Sequence, residues 1–203
     1  MKRIRFQTSA AVLLTAAGIT FAVMLGVRRL EAANPDLSQA DLDVIVAQAV
    51  ASANVTPSGF RTSPSVQTTK MQIAVVARDG KLLRVFSMPD AWVGSIDIAI
   101  AKARTGAFFS SNQNALTSRI IGAVSQPGGP LWGIWASNQL GISGSAEFRN
   151  GIITFPGGVP LYKNGHLVGG IGVSGDGVDQ DEAVAFAGAA GFAPGAGVAK
   201  LGF

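Results

Sequence analysis

Two turn dipeptides, Asp79-Gly80 and Asn164-Gly165, do most to limit what this chain can fold into. Each stands between short runs rich in aliphatic and β-branched residues, MQIAVVAR and KLLRVFSM around the first, VPLYK and HLVGGIGVSG around the second. Such a pair supplies the positive φ of a tight hairpin turn, and a two-residue turn is expected at Asp79-Gly80. A helical pattern follows each hairpin, GSIDIAIAKARTGAFF after the first and DQDEAVAFAGAAGF after the second. A hairpin-then-helix unit that occurs twice predicts an α+β fold with an antiparallel sheet rather than a doubly wound parallel one.

The flanking segments fit that plan. In PDLSQADLDVIVAQAVASAN, Ser38 is a natural N-cap with Asp41 three residues on, and Leu42, Ile45, Val46, Ala49 and Ala53 recur at helical spacing. In the helix after the first hairpin, Ser95 is the expected cap, Asp97 complements the macrodipole, and Ile96, Ile100, Ala103 and Ala107 share a face. ALTSRIIGAV predicts a shorter helix, and residues 55–69, rich in Ser, Thr and Pro, predict a loop. From 126 to 150 periodicity is lost among Gly, Ser, Asn and Trp, which predicts a long loop insertion.

Charge is unevenly placed. Five of the 16 Lys and Arg but only one of the 12 acidic residues lie within the first 33 residues, which leaves 11 of each sign in the remainder. A neutral body with no basic run lacks the footprint that phosphate neutralisation requires, so nucleic acid is not an expected partner. The basic start MKRIR, the apolar run from Ala10 to Val27 and the small residues Ala32 and Ala33 predict that 1–33 is a signal peptide or an N-terminal anchor. Residues 34–203 then form a single domain in a periplasmic or extracellular setting, with a membrane partner only if the segment is retained. No cysteine is present, which removes disulfides, thiol nucleophiles and thiolate-ligated metals.

Gly170-Ile171-Gly172-Val173-Ser174-Gly175 spells the glycine pattern of a dinucleotide turn. It lies in the outgoing strand of a hairpin, however, with no second parallel strand or ribose-binding acid after it, so the pattern fails its structural context. The acids that follow, Asp176, Asp179, Asp181 and Glu182, lack calcium-loop spacing and mostly fall at a helix N-terminus, where negative charge is favoured anyway. Bare glycines on one strand face point instead to close packing.

GSIDIAIAKARTGAFF, FPGGVPLYKNGHLVGGIGVSG and DQDEAVAFAG, in that order, resemble the GlcG/HbpS family of haem-binding-like domains, related to the C-terminal domain of PduO-type proteins. The resemblance runs from about Leu37 to Gly191. It implies a profilin-like α+β domain, with an antiparallel sheet built from two hairpins and flanked by helices, that assembles into homo-oligomers and binds haem or a related small molecule. The export segment, the loop before Met71 and the 126–150 insertion depart from the short family form.

Against that background His166, the only histidine, is the candidate haem-iron ligand, and an exposed hairpin residue is the alternative reading. Tyr162, Met71 and Met88 are further axial donors on paper, with core packing the alternative for Tyr162 and Met71. Ser95 and Lys102, seven apart on one helix face, could bind a carboxylate or haem propionate; Asp97 and Arg104 form a similar pair one face over. Trp132, Trp135 and Phe148 could line a pocket for a flat ligand or bury a subunit interface. A binding protein is therefore expected. The rivals are an enzyme on a small carboxylate or aldehyde using Lys102 and Asp97, and a structural partner of a periplasmic redox or sensor system.

Overall fold

The computed structural model describes residues 36–132 and 151–203, all within a compact unit that spans Pro35–Phe203. Residues 1–33, expected as a signal peptide or anchor, most of the 126–150 insertion, Trp135 and Phe148 lie outside the described residues. In chain order the elements are α1 (Gln39–Ala53), β1 (Gln72–Ala77), β2 (Leu82–Ser87), α2 (Ile96–Phe108), β3 (Asn114–Leu116), α3 (Ser118–Val124), β4 (Gly158–Lys163), β5 (His166–Ser174), α4 (Val178–Gly188) and β6 (Ala199–Leu201). One antiparallel sheet runs β2-β1-β5-β4, and β3 pairs with β6 in a small parallel ribbon. The expected α+β architecture is what forms: two hairpins joined through their inner strands, β1 and β5.

The two turns differ in kind. Asn164 (φ 53°) and Gly165 (φ 79°) are both left-handed, as a two-residue turn whose twist matches its strands demands. At the first hairpin only Gly80 has a positive φ, and the Ala77 N–H bonds to the Lys81 carbonyl. This is a longer turn closed by a left-handed glycine rather than the expected two-residue one.

Strand alternation sorts the core into two layers. On one face of the sheet Ile73, Val75, Ile171 and Val173 meet Leu42, Ile45 and Ala49 of α1 and Val184 and Ala185 of α4. On the other, Ala74 and Val76 meet Ala99, Ala103 and Ala107 of α2. Here Gly170 and Gly172 matter. A Cβ on Gly172 would collide with the Ala99 carbonyl and the Ala103 amide, and one on Gly170 with the Ala103 carbonyl. The helix backbone therefore lies almost on the strand. Its buried face is Ala99, Lys102, Ala103, Thr105, Gly106 and Ala107, with Ile96 and Ile100 only partly covered. The sequence favoured the isoleucines, but glycine opposite alanine permits a closer approach than isoleucine would.

Capping follows the sequence at α1 and departs from it at α2. Ser38 accepts from the Asp41 N–H while Asp41 accepts from the Ser38 N–H at 2.7 Å, a complete capping box, and Lys163 ties the same carboxylate to β4 at 2.6 Å. Ser95 instead ends a short 3-10 turn, Val93–Ser95, and its side chain makes no capping bond.

Gly172→Ala is expected to lower unfolding free energy by about 1–3 kcal/mol, because a rigid backbone must move to admit one methyl. Urea denaturation would show it. An unchanged midpoint would mean the α2–β5 approach is looser than described.

Candidate functional site

An open pocket of about 360 Å³ lies at one end of the sheet, where β5 finishes and both α2 and α4 begin. Ser95, Ile98 and Lys102 reach it from α2 and the turn before it, Ser174, Gly175 and Asp176 from the end of β5, and Val178 and Asp181 from α4. Phe60, Arg61, Trp92 and Phe155 complete the rim from loops. Three of these rim side chains project unusually far for aromatics, Phe60 at 74%, Trp92 at 62% and Phe155 at 46% exposure.

The floor is charged. Lys102 and Asp181, with side chains 1% and 3% exposed, pair at 2.7 Å, and Lys102 Nζ also donates to the Val173 carbonyl at 3.0 Å. Burial lowers the lysine's pKa against the opposing pull of Asp181, and burial raises that of Asp181 against the pull of Lys102. Burial thus moves each group toward its neutral form, while their mutual attraction holds them as an ion pair. Asp181 Oδ1 accepts the Asp176 N–H at 3.1 Å. Asp176 is held in turn by Ser58 Oγ, the Gly59 N–H at 2.7 Å and the Gly177 N–H at 2.9 Å. The 55–69 loop is fastened to the start of α4 by this chain, which is why a Ser- and Pro-rich loop contributes an ordered rim.

The sequence candidates divide into separate places. Ser95 and Lys102 both line the pocket. Asp97 is exposed and absent from the pocket lining; the carboxylate beside Lys102 is Asp181. Arg104 donates to the Gly80 carbonyl at 3.1 Å. His166 is exposed at the opposite end of β5, eight residues from Ser174 and hence about 26 Å away. Tyr162 is buried, its hydroxyl donates to the Ser111 carbonyl at 2.7 Å and lies 3.2 Å from that of Asn114, and burial pushes its pKa up to about 12. That phenol stays protonated and hydrogen-bonded at neutral pH. Met71 and Met88 are buried against each other, the Met71 N–H meeting the Met88 sulfur at 3.4 Å. Trp132 is partly exposed beyond α3 and does not line the pocket.

At His166 the ring is oriented. Asn112 Oδ1 accepts the Leu167 N–H at 2.8 Å, which turns its amide nitrogen toward His166 Nδ1 at 3.3 Å. With Asn112 donating, the neutral ring carries its proton on Nε2.

Sequence reasoning missed Asp181, Trp92 and Arg61. Asp181 carried a readable signal: it precedes the buried Val184, Ala185 and Gly188 by three, four and seven residues, so it shares their inward face. Trp92-Val93, an apolar pair directly before a helix, was a weaker one.

The family model for haem degrading protein HbpS-like matches residues 37–190. The chain belongs to the HbpS-like family. Among relatives, a 15.0 kDa protein from the dhaT-dhaS intergenic region of Citrobacter freundii is 34% identical over 112 residues, 55% of this chain and 68% of that one. The corrinoid adenosyltransferase PduO of the same organism is 32% identical over 113 residues, which take in 56% of this chain but only 29% of PduO. Among solved structures, the PduOC:haem complex superposes with a TM-score of 0.59 at 27% identity, over 79% of this chain and 98% of that one. Klebsiella pneumoniae ORFY gives 0.58 at 25%, over 80% and 94%. The HbpS fold itself matches at 0.54 and 22%.

Removing one partner of the buried pair leaves the other charged and unpaired. Lys102→Met should therefore cost about 3–5 kcal/mol in chemical denaturation, and adding Asp181→Leu should restore a large part of it. Equal losses in the single and double variants would show that the pair is not coupled.

Proposed function

We propose that this chain is an exported protein that binds haem or a related tetrapyrrole and works as a homo-oligomer, with His166 supplying the iron's axial ligand. The observation that carries the reading is the likeness to haem-bound PduOC over 98% of that chain. The donor chemistry of the described residues supports it. Of the side chains suited to haem iron, Tyr162 donates its hydroxyl hydrogen to the Ser111 carbonyl and the described pair Met71 and Met88 is buried, whereas His166 is exposed. Haem bound there would bring a redox-active iron with imidazole on one side. His166 would hold the iron through Nε2, with its ring proton on Nδ1 in place of the Asn112 contact, a change of about 1 kcal/mol.

An exposed imidazole alone does not shield a porphyrin from water, which favours a reading with more than one copy. The sheet edge at β2, with Leu82 and Phe86 turned partly outward, is a surface that a neighbouring copy could cover. The basic and apolar opening of the sequence supports export. Among the described residues no helix is long and apolar enough to cross a membrane.

Haemin titrated into the purified chain should give a shifted Soret band. His166→Ala should weaken binding by roughly tenfold or more, while Asn112→Asp, whose carboxylate would accept from Nδ1–H and favour ligation by Nε2, should tighten it. No spectral change with the parent chain would remove the haem reading, and full binding by His166→Ala would move the iron elsewhere. A monomer in light scattering, or an unprocessed chain found only in the cytoplasm, would remove the oligomer or the export.

A further inference from the structure

The pocket at the far end of β5 is not used by this reading, and its floor has its own chemistry. Lys102 Nζ has three hydrogens, of which two go to Asp181 and the Val173 carbonyl, so the third is uncommitted. Ser95 and Ser174, 3% and 5% exposed, line the same pocket, and neither hydroxyl has a hydrogen-bond partner among the described residues. Lys102, Ser95 and Ser174 thus line one space together with Trp92, Ile98 and Phe155.

Charge decides what that space accepts. Lys102 and Arg61 are matched there by Asp176 and Asp181, so an anion gains no net attraction and a cation none either. The fitting ligand has a neutral oxygen acceptor at one end and an apolar body at the other. We infer that the pocket takes an aldehyde with an apolar chain and that Lys102 binds it covalently and reversibly as an imine, with Asp181 carrying the protons.

The step balances without any further reactant. Lys102 passes a proton to Asp181 across their 2.7 Å contact, and the freed amine attacks the carbonyl carbon, forming a C–N bond as the carbonyl π pair moves onto oxygen. Asp181 protonates that oxygen while Ser95 and Ser174 hydrogen-bond to it, then takes a proton from the nitrogen. It returns this proton to the hydroxyl, which departs as water while the nitrogen lone pair closes the C=N bond. Ammonium and aldehyde have become iminium and water, with Asp181 again a carboxylate beside a cation. The ion pair that the fold requires is present before and after. The burial that moves both groups toward neutrality favours the first proton transfer.

This inference does not rest on haem binding, and its readout contains no haem. The full chain is incubated at neutral pH with butanal or hexanal and sodium cyanoborohydride, which reduces an imine to a stable secondary amine, and the label is located by peptide mass mapping. Lys102 should carry most of it, ahead of the exposed Lys81 and Lys200. Ser95→Ala removes a hydroxyl that no described protein group needs. It should fold normally and lower labelling at Lys102 several-fold while leaving the surface lysines unchanged. Label confined to the surface lysines would overturn the proposal. Unchanged Lys102 labelling in Ser95→Ala would overturn the seating of the carbonyl oxygen.

Discussion

The absence of side chains on one face of β5 sets the rest of the molecule. Gly170 and Gly172 let α2 lie backbone against backbone on the sheet, met by Ala99, Ala103 and Ala107. Lys102 lies on the buried face of that helix, and its amine donates to the Val173 carbonyl beside the last residue of β5. A buried ammonium needs a counter-charge, and Asp181 supplies it from the first turn of α4. The close approach thus determines where a cation sits, the cation draws in a carboxylate, and the carboxylate orders Asp176 and the 55–69 loop behind it. The pocket is the space left where these three elements meet.

Much of the fold was legible because it is governed by local rules. Positive φ at Asn164-Gly165, the Ser38 capping box and the alternation along β1 each depend on a few adjacent residues. The expected functions of the glycines in β5, close packing rather than phosphate binding, also followed from their place inside a strand. The errors arose where distant residues decide. Hydrophobicity alone favours Ile96 and Ile100 over Ala99 for the buried face, because nothing local in α2 says that glycines stand opposite. Asp181 was read as one of several acids at a helix start, where the dipole accounts for them, although its register with Val184 and Ala185 places it inward.

The candidate residues were individually sensible and collectively misleading, since a list implies one site. Ser95 and Lys102 share a pocket; His166 is at the other end of the same strand, oriented by an asparagine from the segment between α2 and β3. An imidazole suited to iron and an amine suited to a carbonyl need different surroundings. The one lies on an exposed hairpin end and the other in an open, charge-balanced pocket, and the strand keeps them apart.

β5 also works as a fixed ruler. Its odd-numbered side chains Ile171 and Val173 fill the layer beneath α1 and α4, and its even-numbered glycines lie under α2. Inserting or deleting one residue mid-strand would exchange these faces, driving a branched side chain into a helix backbone while emptying the opposite core. The strand can therefore change its chemistry at either tip but cannot change its length in between. The two tips are free to diverge in what they bind, while the distance separating them stays constant wherever this packing is kept.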